Sequence, residues 1–90
     1  MKPKLKTIKY SPIFIKALKK FPKNQLKFLE IQEKIFRKNP FDPSLKTHKL
    51  KGALKDFYSF SISYHFRIVF HFEARDIVVF DMIGTHEIYR

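Results

Sequence analysis

The sequence has no cysteine, only two glycines and no long apolar run, and each of these shortages excludes a class of protein. The lack of cysteine rules out disulfides and cysteine-based zinc sites. Gly52 and Gly84 stand alone, so the chain has no phosphate loop, no dinucleotide-binding fingerprint and no nucleophile elbow. No apolar run approaches the roughly 18 residues of a membrane span. We therefore expect a soluble cytoplasmic protein that does not bind a membrane and uses no small-molecule cofactor.

Acidic residues are also scarce, since 8 Asp and Glu stand against 19 Lys and Arg, for a formal net charge of +11. The excess lies in residues 1–55, where 16 basic residues outnumber 3 acidic ones, whereas residues 56–90 carry 3 arginines and 5 acids. Such a surplus predicts a polyanionic ligand or an acidic protein partner. The alternative is that the lysines only keep exposed helix faces soluble. Because lysine dominates, attraction to phosphates is favoured over bidentate base recognition.

The last third of the chain predicts three strands. Polar and apolar residues alternate over residues 58–65, a nearly continuous apolar run covers 66–72, and a second apolar run covers 77–83 after a short polar break. A period of two indicates a half-buried strand, and breaks of this length join neighbouring strands. Residues 56–90 therefore predict an antiparallel meander, and a lysine-rich edge strand is expected within residues 4–10.

Two helices are expected to cover one face of that sheet. Ser11-Pro12 supplies an N-cap followed by proline at the first helical position, and Ile13, Phe14, Ala17, Leu18 and Phe21 then share one helix face. Asn24 is the expected cap of a second helix ending near Lys38, before Asn39-Pro40, with its apolar stripe at Leu26, Phe28, Leu29, Ile31, Ile35 and Phe36. We predict one α+β domain over residues 1–90, of order β-α-α-β-β-β, in which a two-helix hairpin packs on one face of a small antiparallel sheet. A long basic loop, residues 41–55, is expected to be pinned by Leu45, Leu50 and Leu54.

The remaining polar residues suit cleavage of a phosphodiester without a metal. Attack by an RNA 2′-hydroxyl needs a base, an acid and cations beside the phosphorane, which histidine and Arg or Lys supply. The candidates are His48, His86, Arg67, Tyr89 and the surrounding lysines. The alternatives are a solvated His48 and an Arg67 that pairs with Asp81 on the next strand. No metal site is expected, since His65 and His71, placed on one strand, would lie about 20 Å apart.

Three segments, in this order of elements, carry a family resemblance: Leu50-Lys-Gly52, Phe66-Arg-Ile-Val-Phe70 and Ile83-Gly-Thr-His-Glu-Ile-Tyr89. The whole chain resembles the RelE/ParE superfamily of toxins from type II toxin-antitoxin systems. Thr47-His-Lys-Leu-Lys-Gly52 and Gly84-Thr-His86 are most similar to the YafQ branch, whose members cut mRNA on the ribosome.

The resemblance implies roles for individual residues. His48 and His86 match histidines of the YafQ branch, Arg67 matches a catalytic arginine of RelE-type members, and Tyr89 matches a C-terminal aromatic that helps to place the substrate. Two positions depart from the pattern, because Ser61 replaces a second histidine and His65 replaces a catalytic aspartate. We therefore expect either that His65 or a lysine takes over the missing role or that the activity is weak. The expected RNA-binding residues are Lys46, Lys49, Lys51, Lys55 and Arg90.

The function that the resemblance implies is a ribosome-dependent endoribonuclease toxin, an mRNA interferase that inhibits translation. Its expected partners are mRNA in the ribosomal A site and a cognate acidic antitoxin. Two alternatives remain open at this point. One is a ParE-like inhibitor of DNA gyrase, and the other is a catalytically inactive relative that only binds an antitoxin.

Overall fold

A five-stranded sheet forms one layer of the computed structural model, which describes residues 5–85. The strands are β1 (Thr7–Tyr10), β2 (His48–Lys49), β3 (Tyr58–Ser61), β4 (Phe66–Ala74) and β5 (Ile77–Thr85). Their order across the sheet is β1-β5-β4-β3-β2. Two helices, α1 (Pro12–Lys19) and α2 (Leu26–Lys38), form the second layer. The predicted α+β class and two-helix cover are confirmed.

The meander of β3, β4 and β5 is antiparallel throughout, as predicted. However, β3 ends at Ser61 instead of continuing to residue 65. The amides of Ile62 and Ser63 both donate to the Phe66 carbonyl oxygen and close a tight turn. His65 therefore lies in this turn, and the prediction that it shares a strand with His71 is wrong. Alternation alone does not show where a chain reverses, because Ile62 is buried in the turn just as it would be in a strand.

The sheet is mixed, so the prediction of a fully antiparallel sheet is wrong for one strand pair. β1 runs parallel to β5, with Thr7 beside Ile77 and Tyr10 beside Phe80. The direction of this edge strand follows from the path of the chain through the helices, and its side-chain alternation would be the same in either direction. The two-residue strand β2 was not predicted either, because it is too short to show a period.

Local capping chemistry starts and ends the helices. Ser11 Oγ accepts a hydrogen bond from the Phe14 amide at 2.9 Å and donates one to the Asp81 carbonyl oxygen at 2.9 Å, which fixes α1 to β5. α2 ends at the residue before Asn39-Pro40, as predicted. Its predicted cap at Asn24 is wrong, because Lys23–Gln25 form a 3₁₀ turn and Gln25 becomes the cap residue.

The core between the helices and the sheet is built mainly of phenylalanine. Phe36 of α2 is fully buried and packs against Phe60, Phe70 and Phe80, with ring centroids 4.6, 4.9 and 5.3 Å away. One ring of α2 thus touches three strands, which explains how a chain of this size forms a continuous core. Four apolar positions of the predicted helix stripes are instead substantially exposed: Ile13, Leu26, Phe28 and Ile31.

The basic loop contains two 3₁₀ turns, Pro43–Leu45 and Gly52–Leu54, and the short strand β2. Leu45 is fully buried and Leu50 is 8% exposed, so both anchor the loop as predicted, whereas Leu54 is half-buried. Phe57 packs edge-on to His71 at 5.4 Å between ring centroids. Gly52 has a φ of +68°, in the left-handed region that favours glycine. Among residues 5–85, no helix is long and apolar enough to cross a bilayer.

Candidate active site

An open cleft lies where the turn between β3 and β4 approaches α2 and the Pro43–Leu45 turn, and its volume is about 670 Å³. Three of the predicted functional residues line it: Lys46, His65 and Arg67. The other lining residues are Gln32, Ser44, Ser61, Ile62, Ser63 and Tyr64. No carboxylate lines the cleft within the described part of the chain. Its ionisable side chains therefore favour an anion such as a phosphate.

Arg67 is the second residue of β4 and is half-buried on the sheet face that points away from the helices. Its guanidinium donates a hydrogen bond to the hydroxyl of Ser61, which is its register partner on β3. The alternative pairing with Asp81 is wrong, because Asp81 instead lies 2.7 Å from His71. A guanidinium has five donors in a planar fork. Arg67 is thus held by a neutral hydroxyl and keeps donors for an anion in the cleft.

Lys46 lines the cleft and has an unusual backbone conformation. Its φ of 54° and ψ of 37° make it the only non-glycine residue with a positive φ in the described chain. This left-handed conformation costs a lysine about 1–2 kcal/mol. Its neighbours hold it in place, since Leu45 is fully buried and Thr47 Oγ1 donates to the Pro40 carbonyl oxygen at 2.6 Å. Strained residues of this kind are frequent at functional sites.

His65 is exposed at the end of the turn that precedes β4, two residues before Arg67. The turn therefore brings an imidazole and a guanidinium to the same cleft. Ser61, at the position of a family histidine, supports Arg67 and offers no group that titrates near neutral pH. Of the residues that line the described cleft, only His65 carries an imidazole, the side chain that most often acts as a general acid or base.

Three more of the predicted loop residues lie outside this cleft. His48, Lys49 and Lys51 line a separate depression of about 350 Å³ together with Leu50 and Leu54. His48 pairs in register with Ser59, so its side chain lies on the same sheet face as those of Ser61 and Arg67. Its Nδ1 is 3.2 Å from the Lys46 carbonyl oxygen.

Four predicted residues are not placed in either cavity. Lys55 is exposed and follows the third 3₁₀ turn, Gly52–Leu54. His86, Tyr89 and Arg90 lie outside the described residues, so their predicted roles remain predictions. The last described register pairs on β5 set Gly84 opposite Arg67 and Thr85 opposite Phe66.

Sequence reasoning did not identify Gln32 or Tyr64 as parts of the site. Gln32 Nε2 donates to the Ser61 carbonyl oxygen at 2.9 Å, and so ties α2 to the cleft wall. A lone glutamine on a helix gives no sequence signal for this contact. Tyr64 did carry a signal, because it is an aromatic residue in a serine-rich turn, but its alternation with serine suggested a strand. No group of three possible metal ligands occurs within residues 5–85.

Neither a family model nor a curated protein matches the chain by sequence at a significant level. Solved structures do match it. A metal-bound toxin from Helicobacter pylori is 30% identical, with a TM-score of 0.71 over 93% of this chain and 98% of the toxin. YafQ from E. coli is 22% identical, with a TM-score of 0.68 over 91% and 94% of the two chains. The archaeal RelE–RelB complex from Pyrococcus horikoshii contains a chain that is 18% identical, with a TM-score of 0.68 over 88% and 92%. Together with the shared fold, the H. pylori likeness shows that this chain belongs to the RelE/ParE toxin superfamily.

Proposed function

We propose that this chain is the toxin of a type II toxin-antitoxin system and that it cleaves mRNA on the ribosome. The observation that carries the proposal is the convergence of His65, Arg67 and Lys46 on one cleft. These residues come from three separate positions, namely a turn, a strand and the end of a 3₁₀ turn. Basic residues that only keep a surface soluble need not lie close together, whereas catalytic residues must converge on one phosphate.

The cleft supports cleavage by the RNA's own 2′-hydroxyl. In this reaction the 2′-oxygen forms a bond to phosphorus, the bond to the 5′-oxygen breaks, and a proton passes from the first oxygen to the second through the protein. In the proposed reaction Arg67 stabilises the charge on the phosphorane, and Lys46 holds a neighbouring phosphate. His65 exchanges one of the protons. His86 is the proposed second acid–base group, on the strength of the family resemblance at Gly84-Thr-His86.

The lysines and histidine of the neighbouring depression extend the proposed RNA surface. His48, Lys49 and Lys51 follow Lys46 within five residues, and His48 Nδ1 lies 3.2 Å from the Lys46 carbonyl oxygen. We propose that Lys49 and Lys51, with Lys55 and Arg90, contact the RNA backbone by charge alone. His48 is then a substrate contact or an acid–base group, and Tyr89 is proposed to place the substrate.

Cleavage of mRNA on programmed ribosomes tests the nuclease proposal. His65→Ala, His86→Ala and Arg67→Ala should each lower single-turnover cleavage by roughly 10²-fold or more, because each removes a proton-transfer group or a charge contact of the transition state. Binding to the ribosome, followed separately, should change little. His71→Ala is the control, because His71 lies on β4, the strand that carries Arg67, but pairs with Asp81 outside the cleft.

Two further assays, of gyrase inhibition and of antitoxin binding, distinguish the two alternatives from the nuclease. If the wild-type protein does not cleave but inhibits supercoiling by purified gyrase, the chain is a ParE-like toxin. If it does neither and still binds an antitoxin, it is an inactive relative. Cleavage at the wild-type rate by all three variants would show that other residues carry the reaction.

We also propose an acidic antitoxin as the partner. The H. pylori relative is a toxin, and RelE forms a complex with RelB in the archaeal structure. The net charge of +11 would steer an acidic segment toward this chain. The association rate should therefore fall steeply as salt rises from about 0.05 to 0.5 M, because the Debye length shrinks below about 10 Å. A rate that does not change with salt would contradict docking on the lysines.

A further inference from the structure

Tyr64 stands at the tip of the turn between β3 and β4 and is the most exposed large apolar side chain of the described chain, at 88%. Tips of exposed turns usually carry small or polar residues. No described residue forms a hydrogen bond with its hydroxyl. The ring therefore contributes little to the stability of the fold, and an exposed aromatic ring at this position suggests a role in binding.

The turn that carries Tyr64 is fixed on both sides. Ile62 is 3% exposed and its amide donates to the Phe66 carbonyl oxygen at 2.9 Å. Ser63 Oγ donates to Gln25 Oε1 at 2.7 Å, which ties the turn to the residue that caps α2. The exposure of Tyr64 is thus imposed by an anchored backbone. Because the backbone beneath the ring is already fixed, it needs little further ordering when the ring receives a flat ligand.

The surroundings of the ring indicate what kind of ligand it receives. Tyr64 borders the cleft that contains Lys46 and Arg67, and its ring meets that of His65 edge-on, with centroids 4.8 Å apart. Because His65 contacts the Tyr64 ring at an interplanar angle of 82°, the two rings are not stacked on each other. A positively charged groove combined with an exposed aromatic face is the arrangement by which proteins hold single-stranded nucleic acids.

We propose that Tyr64 forms a nucleobase-stacking subsite at the rim of this cleft, and that it holds a base next to the phosphates that Arg67 and Lys46 bind. This inference rests on the proposed function, since it assigns a position to the RNA in the same cleft. The contact uses the ring face and not the hydroxyl, so it accepts any base and is retained by phenylalanine. Tyr64 is a positioning residue, because it orients the substrate and transfers no proton.

Binding of a short single-stranded RNA with a 2′-deoxy substitution at the scissile nucleotide tests the subsite without cleavage. Tyr64→Ala should weaken binding roughly 5- to 100-fold, the usual loss for one base–aromatic stack, whereas Tyr64→Phe should bind within about twofold of wild type. An abasic nucleotide at the stacked position should weaken wild type by a similar factor and should not weaken Tyr64→Ala further. Phe28→Ala is the matched control, because Phe28 is an exposed aromatic, at 45%, that lies on α2 outside the cleft.

A fluorescent variant gives a second measurement that does not depend on affinity alone. The sequence contains no tryptophan, so Tyr64→Trp introduces a single indole at the proposed subsite. Stacking of a base should quench its fluorescence when RNA binds, whereas Phe28→Trp should show no quenching.

The outcomes separate this inference from the proposed function. If Tyr64→Ala binds and cleaves RNA like wild type, or if Tyr64→Trp is not quenched, the stacking subsite is wrong while the nuclease stands. If wild type binds RNA through Tyr64 but never cleaves mRNA on ribosomes, the nuclease proposal fails while the subsite stands. If Tyr64→Ala weakens only antitoxin binding, the residue is a protein contact and the inference is overturned.

Discussion

Asp81 Oδ2 lies 2.7 Å from His71 Nδ1, and this pair joins β5 to β4 on the sheet face away from the helices. Asp81 is the carboxylate on the neighbouring strand that the sequence suggested as a partner for Arg67, and here it pairs with His71. Arg67 accordingly bonds to the Ser61 hydroxyl and lines the cleft. His71 is paired with a carboxylate, whereas Arg67 is bonded only to a hydroxyl. Arg67 is therefore the one of these two basic side chains that is available to a substrate.

The first prediction concerns these two pairings. Asp81→Asn should leave the rate of mRNA cleavage unchanged, because Arg67 takes its support from Ser61 and not from Asp81. Ser61→Ala should slow single-turnover cleavage, since it removes the hydroxyl that orients the guanidinium, and less than Arg67→Ala does. Single-turnover kinetics on programmed ribosomes measure both effects. A cleavage defect in Asp81→Asn equal to that of Ser61→Ala would contradict the assignment of partners.

A second prediction separates the charge of Lys46 from its backbone strain. Lys46→Gly and Lys46→Ala both remove one phosphate contact and should lower the salt slope of RNA binding by about one unit. Only glycine relieves the left-handed conformation, so Lys46→Gly should be more stable than Lys46→Ala by about 1 kcal/mol. Urea denaturation measures the stability, and RNA titrations at several salt concentrations measure the slope. Equal stability of the two variants would show that position 46 is not held in the left-handed region.

The third prediction tests the central ring of the core. Phe36→Ala should lower the free energy of unfolding by about 3–5 kcal/mol, because it removes a fully buried ring that packs on three strands. Phe28→Ala, on the same helix but 45% exposed, should cost much less. Chemical denaturation followed by circular dichroism compares the two variants. Similar losses in both would mean that α2 packs on the sheet through a different face.

The fourth prediction uses the raised pKa of Tyr10. Tyr10 donates to Glu33 Oε2 at 2.6 Å, and Arg37 Nη2 lies 3.3 Å from its hydroxyl, so the three side chains join β1 to α2. Burial, and then the hydrogen bond to Glu33, raises the pKa of Tyr10 to about 12. A raised pKa stabilises the fold fully below the ordinary tyrosine value of about 10. The contribution is lost as the pH rises through the folded-state value.

The measurement for Tyr10 is the melting temperature between about pH 9 and pH 12 in wild type and Tyr10→Phe. Wild type should be the more stable at the lower end, and its advantage should shrink toward the upper end, where the phenolate would lie beside the Glu33 carboxylate. Lysine deprotonation affects both proteins alike and cancels in the difference. A constant difference across this range would contradict the role of the hydroxyl proton.

Much of the local structure follows from residues that are close together in the chain. Ser11-Pro12 starts α1 and Asn39-Pro40 ends α2, because capping and proline geometry act within a few residues. The meander follows from its apolar runs, and the charge of the first 55 residues already indicates an anionic partner. The family resemblance, carried by short segments such as Phe66–Phe70, is enough to indicate the cleft residue Arg67 from the sequence.

Only the tertiary structure decided how these pieces form a site. Gln32, Lys46, Tyr64 and Arg67 meet in one cleft although they come from a helix, a 3₁₀ turn, a turn and a strand. The parallel pairing of β1 with β5 and the reversal of the chain after Ser61 likewise depend on contacts between distant segments. Such contacts leave no period in the sequence, because their free energy depends on burial and on hydrogen bonds that exist only once the chain has folded.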